Sequence, residues 1–460
     1  MGTEGISRRS GRAYGAVWVL FLASLGMTLL TLVDIRRGFL LPEYAVKTPW
    51  VSLSELHLGG LILGCMGLVL AYSSLQRAET AGGFDRARLR SVGKAVILAL
   101  AVLLAADTLL LYRGVAAVRI VERGQMGIGA LGLSPGQLPG QAELLPLAGT
   151  PLLLRPVAIA VNYWAMVWHA TLLALLWAGL GVVAIPLYFS SWIHPVGAGR
   201  LRALLGGVAY AVPQPFCSCC AAPIAASIYK AGRTENSLVA STAFLLASPA
   251  LNVTTLFLAA TLLPRPYALL RILGGAFLVF LTTYLVATVA ARLPWRVASD
   301  VPLRGIGGLV ASLLNRYSRL LRFEPVGELA VTPVGLIRAW LWSTWRVARV
   351  VVPLLMVGSL GAGAIVAFVP SVFTNTVPGI LLAAGLGTVL MVATWTEIPV
   401  AAVLAARGLT GPAAALLITL PVVSLPCLLI FGVALGNSRV PLLLGAVTFG
   451  LGVIAGWMFM

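Results

Sequence analysis

Three of the chain's five cysteines stand within four residues, as Cys217, Cys219 and Cys220, in the segment Pro215-Phe-Cys217-Ser-Cys219-Cys220-Ala-Ala-Pro223. Thiolates are soft ligands that select Cu(I), Zn(II) and similarly thiophilic species, a class to which trivalent arsenic belongs chemically. A cysteine near a helix N-terminus also has its pKa lowered, which favours the reactive thiolate. Spacing this dense is unlike the evenly distributed cysteines of a secreted disulfide frame, and it points to metal, metalloid or redox chemistry. Cys217, Cys219 and Cys220 are the candidate metal ligands. Cys427 follows in Ser424-Leu425-Pro426-Cys427, whereas Cys65, alone in a Gly-rich apolar stretch, reads as a small buried hydrophobe.

The same region occurs twice. Pro223, Ala225, Ala226, Gly232 and Ser248 reappear as Pro399, Ala401, Ala402, Gly408 and Ser424, each 176 residues later (399 minus 223), without a gap. Four proline-containing breaks accompany the two copies: 213–223, Ser248-Pro249-Ala250-Leu251-Asn252, Ala393-Thr394-Trp395-Thr396-Glu397-Ile398-Pro399, and Pro421-Val422-Val423-Ser424-Leu425-Pro426-Cys427. Non-helical backbone at membrane depth survives only when it is buried in protein or lines a watery cavity. Discontinuous segments in corresponding positions of two inverted halves point to the midplane site of a secondary transporter. Half-helix N-termini meeting there offer free N–H groups and partial positive charge. The expected substrate-binding set is Cys217, Ser218, Cys219, Cys220, Pro223, Ser248, Asn252, Thr396, Glu397, Pro399, Ser424 and Cys427. Glu397 is also the expected coupling residue, because an ionisable group at that depth is costly and defaults to a functional role.

The elements that must carry these residues follow from composition. Sixty per cent of residues are hydrophobic and ten per cent charged, which excludes a soluble globular domain. Apolar stretches near 14–34, 51–73, 94–113, 160–189, 236–263, 267–291, 348–369, 377–393, 411–436 and 440–459 mostly reach the roughly 20 residues a spanning helix needs. The fold class is therefore an all-α integral membrane protein with about nine transmembrane helices. Two re-entrant hairpins, 200–232 and 377–408, complete two inverted-topology repeats. The formal charge of +18 is read as membrane orientation and not as affinity for nucleic acid. Arg77, Arg86, Arg88, Arg90 and Lys94 set the N-terminus and the second loop in the cytoplasm; Arg36 and Arg37 disagree locally. The expected organisation is a three-helix addition at 1–115, an extracytoplasmic loop at 116–155, and a first permease repeat at 156–292. A basic cytoplasmic loop at 293–332 and a second repeat at 333–460 complete it. The run after Arg8, Arg9 and Arg12 is too long for a signal peptide and is expected to stay attached. Asp107 and His169 are expected to meet neighbouring helices, and Arg338, Arg346 and Arg349 to lie on an interfacial amphipathic stretch.

At the quoted motifs the chain resembles the bacterial permease family that includes ArsP-type organoarsenical efflux permeases and YraQ-like predicted permeases. The motifs are Pro215-Phe-Cys217-Ser-Cys219 with Pro223 and Gly232, Ser248-Pro249-Ala250-Leu-Asn252, Thr396-Glu397-Ile398-Pro399, Arg407-Gly408 and Ser424-Leu425-Pro426. The likeness covers roughly 155–460. It departs at Cys220, where the family usually has Gly, and at Ala393-Thr394-Trp395, which replace a frequent Cys-Ser. The resemblance implies an inner-membrane permease, not an enzyme, that exports a small molecule or metalloid such as a trivalent organoarsenical. No Walker loop is present, and no cofactor is expected. The alternative is a transmembrane thiol–disulfide carrier, in which cysteines of the two halves pass reducing equivalents through mixed disulfides. The partners are the lipid bilayer and the solute, with room for a homo-oligomer or a thioredoxin-like protein.

Overall fold

In hydrocarbon only a segment that bonds its own backbone is viable, so the apolar runs of this chain are helices. The computed structural model describes residues 2–37, 46–47, 51–81, 86–114, 118, 144–147, 149–189, 199–214, 216–292, 332–368, 373–392, 397–436 and 439–460. Nine helical stretches among them are long and apolar enough to cross a membrane. They are Ala13–Arg36, Glu55–Thr80, Leu89–Tyr112, Val167–Ala184, Glu235–Leu262, Arg265–Val289, Pro333–Gly361, Thr410–Leu435 and Arg439–Met458. The chain is an all-α, multi-pass integral membrane protein. Most of the expected 116–155 and 293–332 loops, and residues 393–396 of the third break, lie outside the described residues.

By internal packing the chain divides into Met1–Tyr112 with Glu324–Trp342, and Arg113–Phe323 with Ser343–Met460. The first unit contains α1 (Gly2–Arg37), α2 (Glu55–Thr80) and α3 (Arg86–Ala105), the last running into a π-helical stretch at Ala106–Gly114. β1 (Val46–Lys47) and β2 (Ser52–Leu53) form a short antiparallel ladder before α2. Gly64 of α2 comes so close to Thr28 of α1 that a Cβ there would collide with its hydroxyl, the close approach that small residues give membrane helices. Ser54 caps α2, and its backbone N–H donates to His57 Nδ1 at 3.0 Å. That leaves Nε2 as the donor toward Asp34 Oδ2, also at 3.0 Å and buried. Glu79 accepts from Tyr14 Oη at 2.7 Å and from the Val334 N–H at 3.1 Å.

The second unit holds the repeat. Its first half has α4 (Arg155–Ala184), which ends in a π-helical turn at Ile185–Phe189, then α5 (Arg200–Ala211), α6 (Ser218–Gly232), α7 (Glu235–Ala250) and α8 (Val253–Leu262). It closes with α9 (Arg265–Leu269), a π turn at Leu270–Gly274 and α10 (Gly275–Arg292). The second half has α11 (Pro333–Phe368, shared at its start with the first unit), α12 (Val377–Val389), α13 (Glu397–Ala406), α14 (Thr410–Val422), α15 (Leu425–Leu435) and α16 (Arg439–Met458). Helices stop and restart at the first, second and fourth proline breaks, and the third falls between α12 and α13.

The packing repeats with the order. In the first half α7 packs on α5, α6 and α10; in the second, α14 packs on α12, α13 and α16. Contacts between halves come in exchanged pairs: α15 lies on α6 and α8 on α13, while α7 meets α14 and α10 meets α16. Each copy thus buries against the other the helix that follows its own break. The shared core contains Phe244, Ile224, Ile228, Cys427 and Phe431, all nearly inaccessible. Burying a large apolar side chain in this way is worth about 1.5–3 kcal/mol where water is the alternative. Against lipid the gain comes from packing instead, which is why alanines line α6 and α7.

Candidate permeation site

The first break is built by what its residues cannot do. Pro213 follows the last turn of α5, and Val212 is its C-cap. Cys217 then takes extended angles (φ −72°, ψ 160°) as the N-cap of α6, its carbonyl accepting from the N–H groups of Cys220 and Ala221. One helical turn brings its thiol to Cys220, and the two Sγ atoms are 3.1 Å apart. Cys217 is half-buried and Cys220 buried. The side chain of Cys219 lies outside the described residues. Pro223 is buried within α6; having no N–H, it leaves the carbonyl one turn earlier without its helical donor.

The fourth break meets the first. Ser424 is the extended N-cap of α15 (φ −149°, ψ 158°), and Pro426 occupies the first turn, where a missing N–H costs nothing. Ser424 Oγ lies 3.1 Å from Ser218 Oγ, so the N-termini of α6 and α15, one from each half, face each other. Cys427 is fully buried beside them, within reach of the Ser218 hydroxyl, the Ser424 backbone and the Cys217 thiol. Five expected residues, Cys217, Ser218, Cys220, Ser424 and Cys427, therefore share one spot. Partial positive charge from two helix N-termini converges there, a setting that favours anions and thiolates. Among the described side chains no group of three His, Cys, Asp or Glu is positioned to hold a metal ion.

The second break is tied to the first by backbone. Ser248 Oγ donates to the Gln214 carbonyl at 3.2 Å, and the Val253 N–H donates to the Val212 carbonyl at 3.3 Å. Asn252, N-cap of α8, is saturated by the break itself. Its Oδ1 accepts from Thr255 N, Thr254 Oγ1 and Thr255 Oγ1, and its Nδ2 donates to the Ser248 and Pro249 carbonyls. Thr396 and the side chain of Pro399 lie outside the described residues, although Pro399 falls in the first turn of α13.

Glu397 begins α13 and is completely buried, with a partner that sequence reasoning missed. Arg271, in the π turn between α9 and α10, donates from Nη2 to Glu397 Oε1 at 3.1 Å. It also donates to the Pro249 carbonyl at 3.1 Å, and from Nη1 to the Ala250 carbonyl at 2.7 Å. The guanidinium is 1% and the carboxylate 0% exposed. Gly275, one turn on, leaves it room, since a Cβ there would lie 3.0 Å from Nη1. The signal was a lone Arg inside an apolar stretch, which in a membrane is a functional hypothesis by default. His169 is buried in α4 and Asp107 in the π-helical stretch after α3, and Arg349 stacks over Trp345 at 5.9 Å within α11.

A family model described as "Predicted permease", of the ArsP type, matches residues 158–459. The UPF0718 protein YraQ of Escherichia coli (strain K12) is 30% identical over 307 residues, covering 65% of this chain and 78% of that protein. The UPF0718 protein MJ0584 of Methanocaldococcus jannaschii is 27% identical over 275 residues, covering 50% of this chain and 74% of its own length. No solved structure matches significantly. The match runs from α4 to the end of α16 and takes in both copies of the repeat, so the chain belongs to this predicted permease family.

Proposed function

We propose that this permease is a secondary transporter of the plasma (inner) membrane, N-terminus in the cytoplasm, that exports a small thiophilic solute. A trivalent organoarsenical or a soft metal(loid) is the solute class. The observation that carries the reading is the thiol pair of Cys217 and Cys220, 3.1 Å apart where the N-termini of α6 and α15 meet. Two sulfurs at that separation suit a trivalent, thiophilic centre, and the two helix N-termini set partial positive charge beside them. Cys427 and Cys219 are the further ligands, and Ser218 and Ser424 line the approach. The exchanged contacts of α6 with α15 and α8 with α13 support two inverted repeats about a pseudo-two-fold axis, with 200–232 and 377–408 as re-entrant hairpins. Glu397 supplies the coupling charge. The test is uptake of methylarsenite, arsenite and Cu(I) into inverted vesicles, with and without a proton gradient. Gradient-dependent accumulation of one solute, abolished by Cys217→Ser with Cys220→Ser, is expected. No accumulation in vesicles that contain folded protein would overturn the reading.

One observation favours a second reading. Cys217 and Cys220 form a Cys-x-x-Cys at a helix N-terminus, the arrangement of dithiols that exchange with disulfides. As a thiol–disulfide carrier the chain would form a mixed disulfide with a thioredoxin-like partner. Trapping that species with Cys220→Ser, in a protein that accumulates none of the three solutes, would favour the carrier.

A further inference from the structure

The cysteine loop and the buried ion pair belong to one connected set of bonds, although no charged residue lies in the loop. Glu397 of the second half holds Nη2 of Arg271. Arg271 holds the carbonyls of Pro249 and Ala250, at the end of α7. The adjoining residue, Ser248, donates to the carbonyl of Gln214, and Val253 donates to that of Val212. Gln214 stands three residues before Cys217. Only the carboxylate in this chain of contacts changes charge readily, since a guanidinium stays protonated.

We propose that Arg271 is the positioning residue of a proton-linked latch through which Glu397 controls the backbone of the cysteine loop. With Glu397 ionised, the guanidinium is shared between the carboxylate and the two carbonyls, and the break between α7 and α8 is held shut. A proton taken from water onto Oε2, which has no hydrogen-bond partner among the described residues, neutralises the carboxylate. Arg271 then carries an uncompensated charge in a buried site and must reorganise, which loosens its grip on Pro249 and Ala250. The latch is closed while Glu397 is ionised and opens when it is protonated. The groups facing Glu397 do not blur that assignment. α14 and α8, which pack on α13, carry no charged or titratable side chain over Thr410–Val422 and Val253–Leu262, and among the described residues the charged partner of Glu397 is Arg271. The repeat has no counterpart for either charge, since 176 residues before Glu397 stands Ala221 and 176 after Arg271 stands Val447.

The latch deepens the permease reading, on which it rests for its purpose, but it can be tested without a solute. Backbone hydrogen exchange is followed across 251–256 in the full chain reconstituted in lipid nanodiscs over a range of pH. It is expressed as protection relative to the unstructured rate and referred to 413–420 in α14. These amides include Leu251, Val253, Thr255 and Leu256, whose acceptors are the Ala247 carbonyl, the Val212 carbonyl, Asn252 Oδ1 and the Asn252 carbonyl. An open form raised by protonation from about a tenth of the population to the majority lowers protection by about tenfold. Protection in the native chain is therefore expected to fall about tenfold on acidification. In Glu397→Gln it should be low at every pH, and in Arg271→Lys the pH dependence should persist. PH-independent protection in the native chain, or retained pH dependence in Glu397→Gln, would overturn the latch. Failure to move any thiophilic solute, with the exchange profile intact, would sink the thiophilic-exporter reading and leave the latch standing.

Discussion

A buried guanidinium and a buried carboxylate must satisfy each other or be satisfied by backbone, and Arg271 does both. Removing one partner of a buried pair strands the other, a loss of about 3–5 kcal/mol. Arg271→Met alone is therefore expected to lower unfolding free energy by that amount in denaturant titrations of the solubilised protein. Combining it with Glu397→Leu should recover most of the loss. Recovery should stop short of complete, because the Ala250 carbonyl loses the Arg271 donor while the Pro249 carbonyl keeps only Asn252 Nδ2, at about 1–3 kcal/mol for a buried group left unpaired. Equal damage from the single and double variants would show that the pair's charge is not what holds the break. At the cysteines, two thiols acting on one trivalent centre gain an effective concentration that a single thiol lacks, on the order of a hundredfold in affinity. Cys217→Ser or Cys220→Ser should each weaken phenylarsine oxide binding by about that factor in a titration of purified protein. Loss from neither variant would remove this dithiol from the site. Sequence made the thiols and Glu397 legible through their types and the prolines around them. Arg271 was not legible as a partner, because it lies 126 residues from Glu397 and no spacing rule links them.

At the scale of elements, prolines announced where helices stop, since a missing N–H and a bulky ring are local facts readable from one residue type. The first, second and fourth breaks fall between α5 and α6, α7 and α8, and α14 and α15. What the sequence concealed was how the breaks are satisfied. The five bonds made by Asn252 occupy both ends of its amide within the break, where it caps α8. Close helix approach was hidden for a similar reason, because adjacent glycines in one helix differ in what stands opposite. A Cβ at Gly207 of α5 would collide with the Ala240 carbonyl of α7 and lie 3.0 Å from Ala243 Cβ, whereas Gly206 faces nothing within 4 Å. Gly207→Val should thus separate α5 from α7 and cost about 1–3 kcal/mol. Gly206→Ala should stabilise by about 0.5–1 kcal/mol, by restricting the unfolded chain within a helix. Thermal unfolding of the two variants side by side tests this. A tolerated Gly207→Val would mean that α5 is free to shift, and with it the loop that bears Cys217.

At the scale of the whole molecule, the repeat explains why two sets of helix N-termini occur. α6 meets α15 at the cysteines, and α13 and α8 carry Glu397 and Asn252 at their own starts. The backbone plan was duplicated and the side chains were not, so one meeting point carries thiols and the other a charge pair. A 176-residue offset reveals duplication, but orientation depends on how often the chain crosses between the copies, which composition alone gives only through charge. Between the turn after α6 and the turn after α13 stand the α7–α8 span, the α9–α10 span and α11. If α5 with α6 and α12 with α13 are hairpins, three crossings separate the two turns, and an odd number puts them on opposite faces. With the N-terminus in the cytoplasm, as proposed, Arg233 and Lys230 at the first turn lie there too, in keeping with the positive-inside rule. In a chain with its five cysteines replaced, Thr234→Cys should react with a membrane-impermeant maleimide only in inverted vesicles. Thr410→Cys should react only in right-side-out ones. Labelling of both from one face would leave the duplication intact but make the halves parallel, and the meeting of α6 with α15 would then need an explanation other than a two-fold axis in the membrane plane.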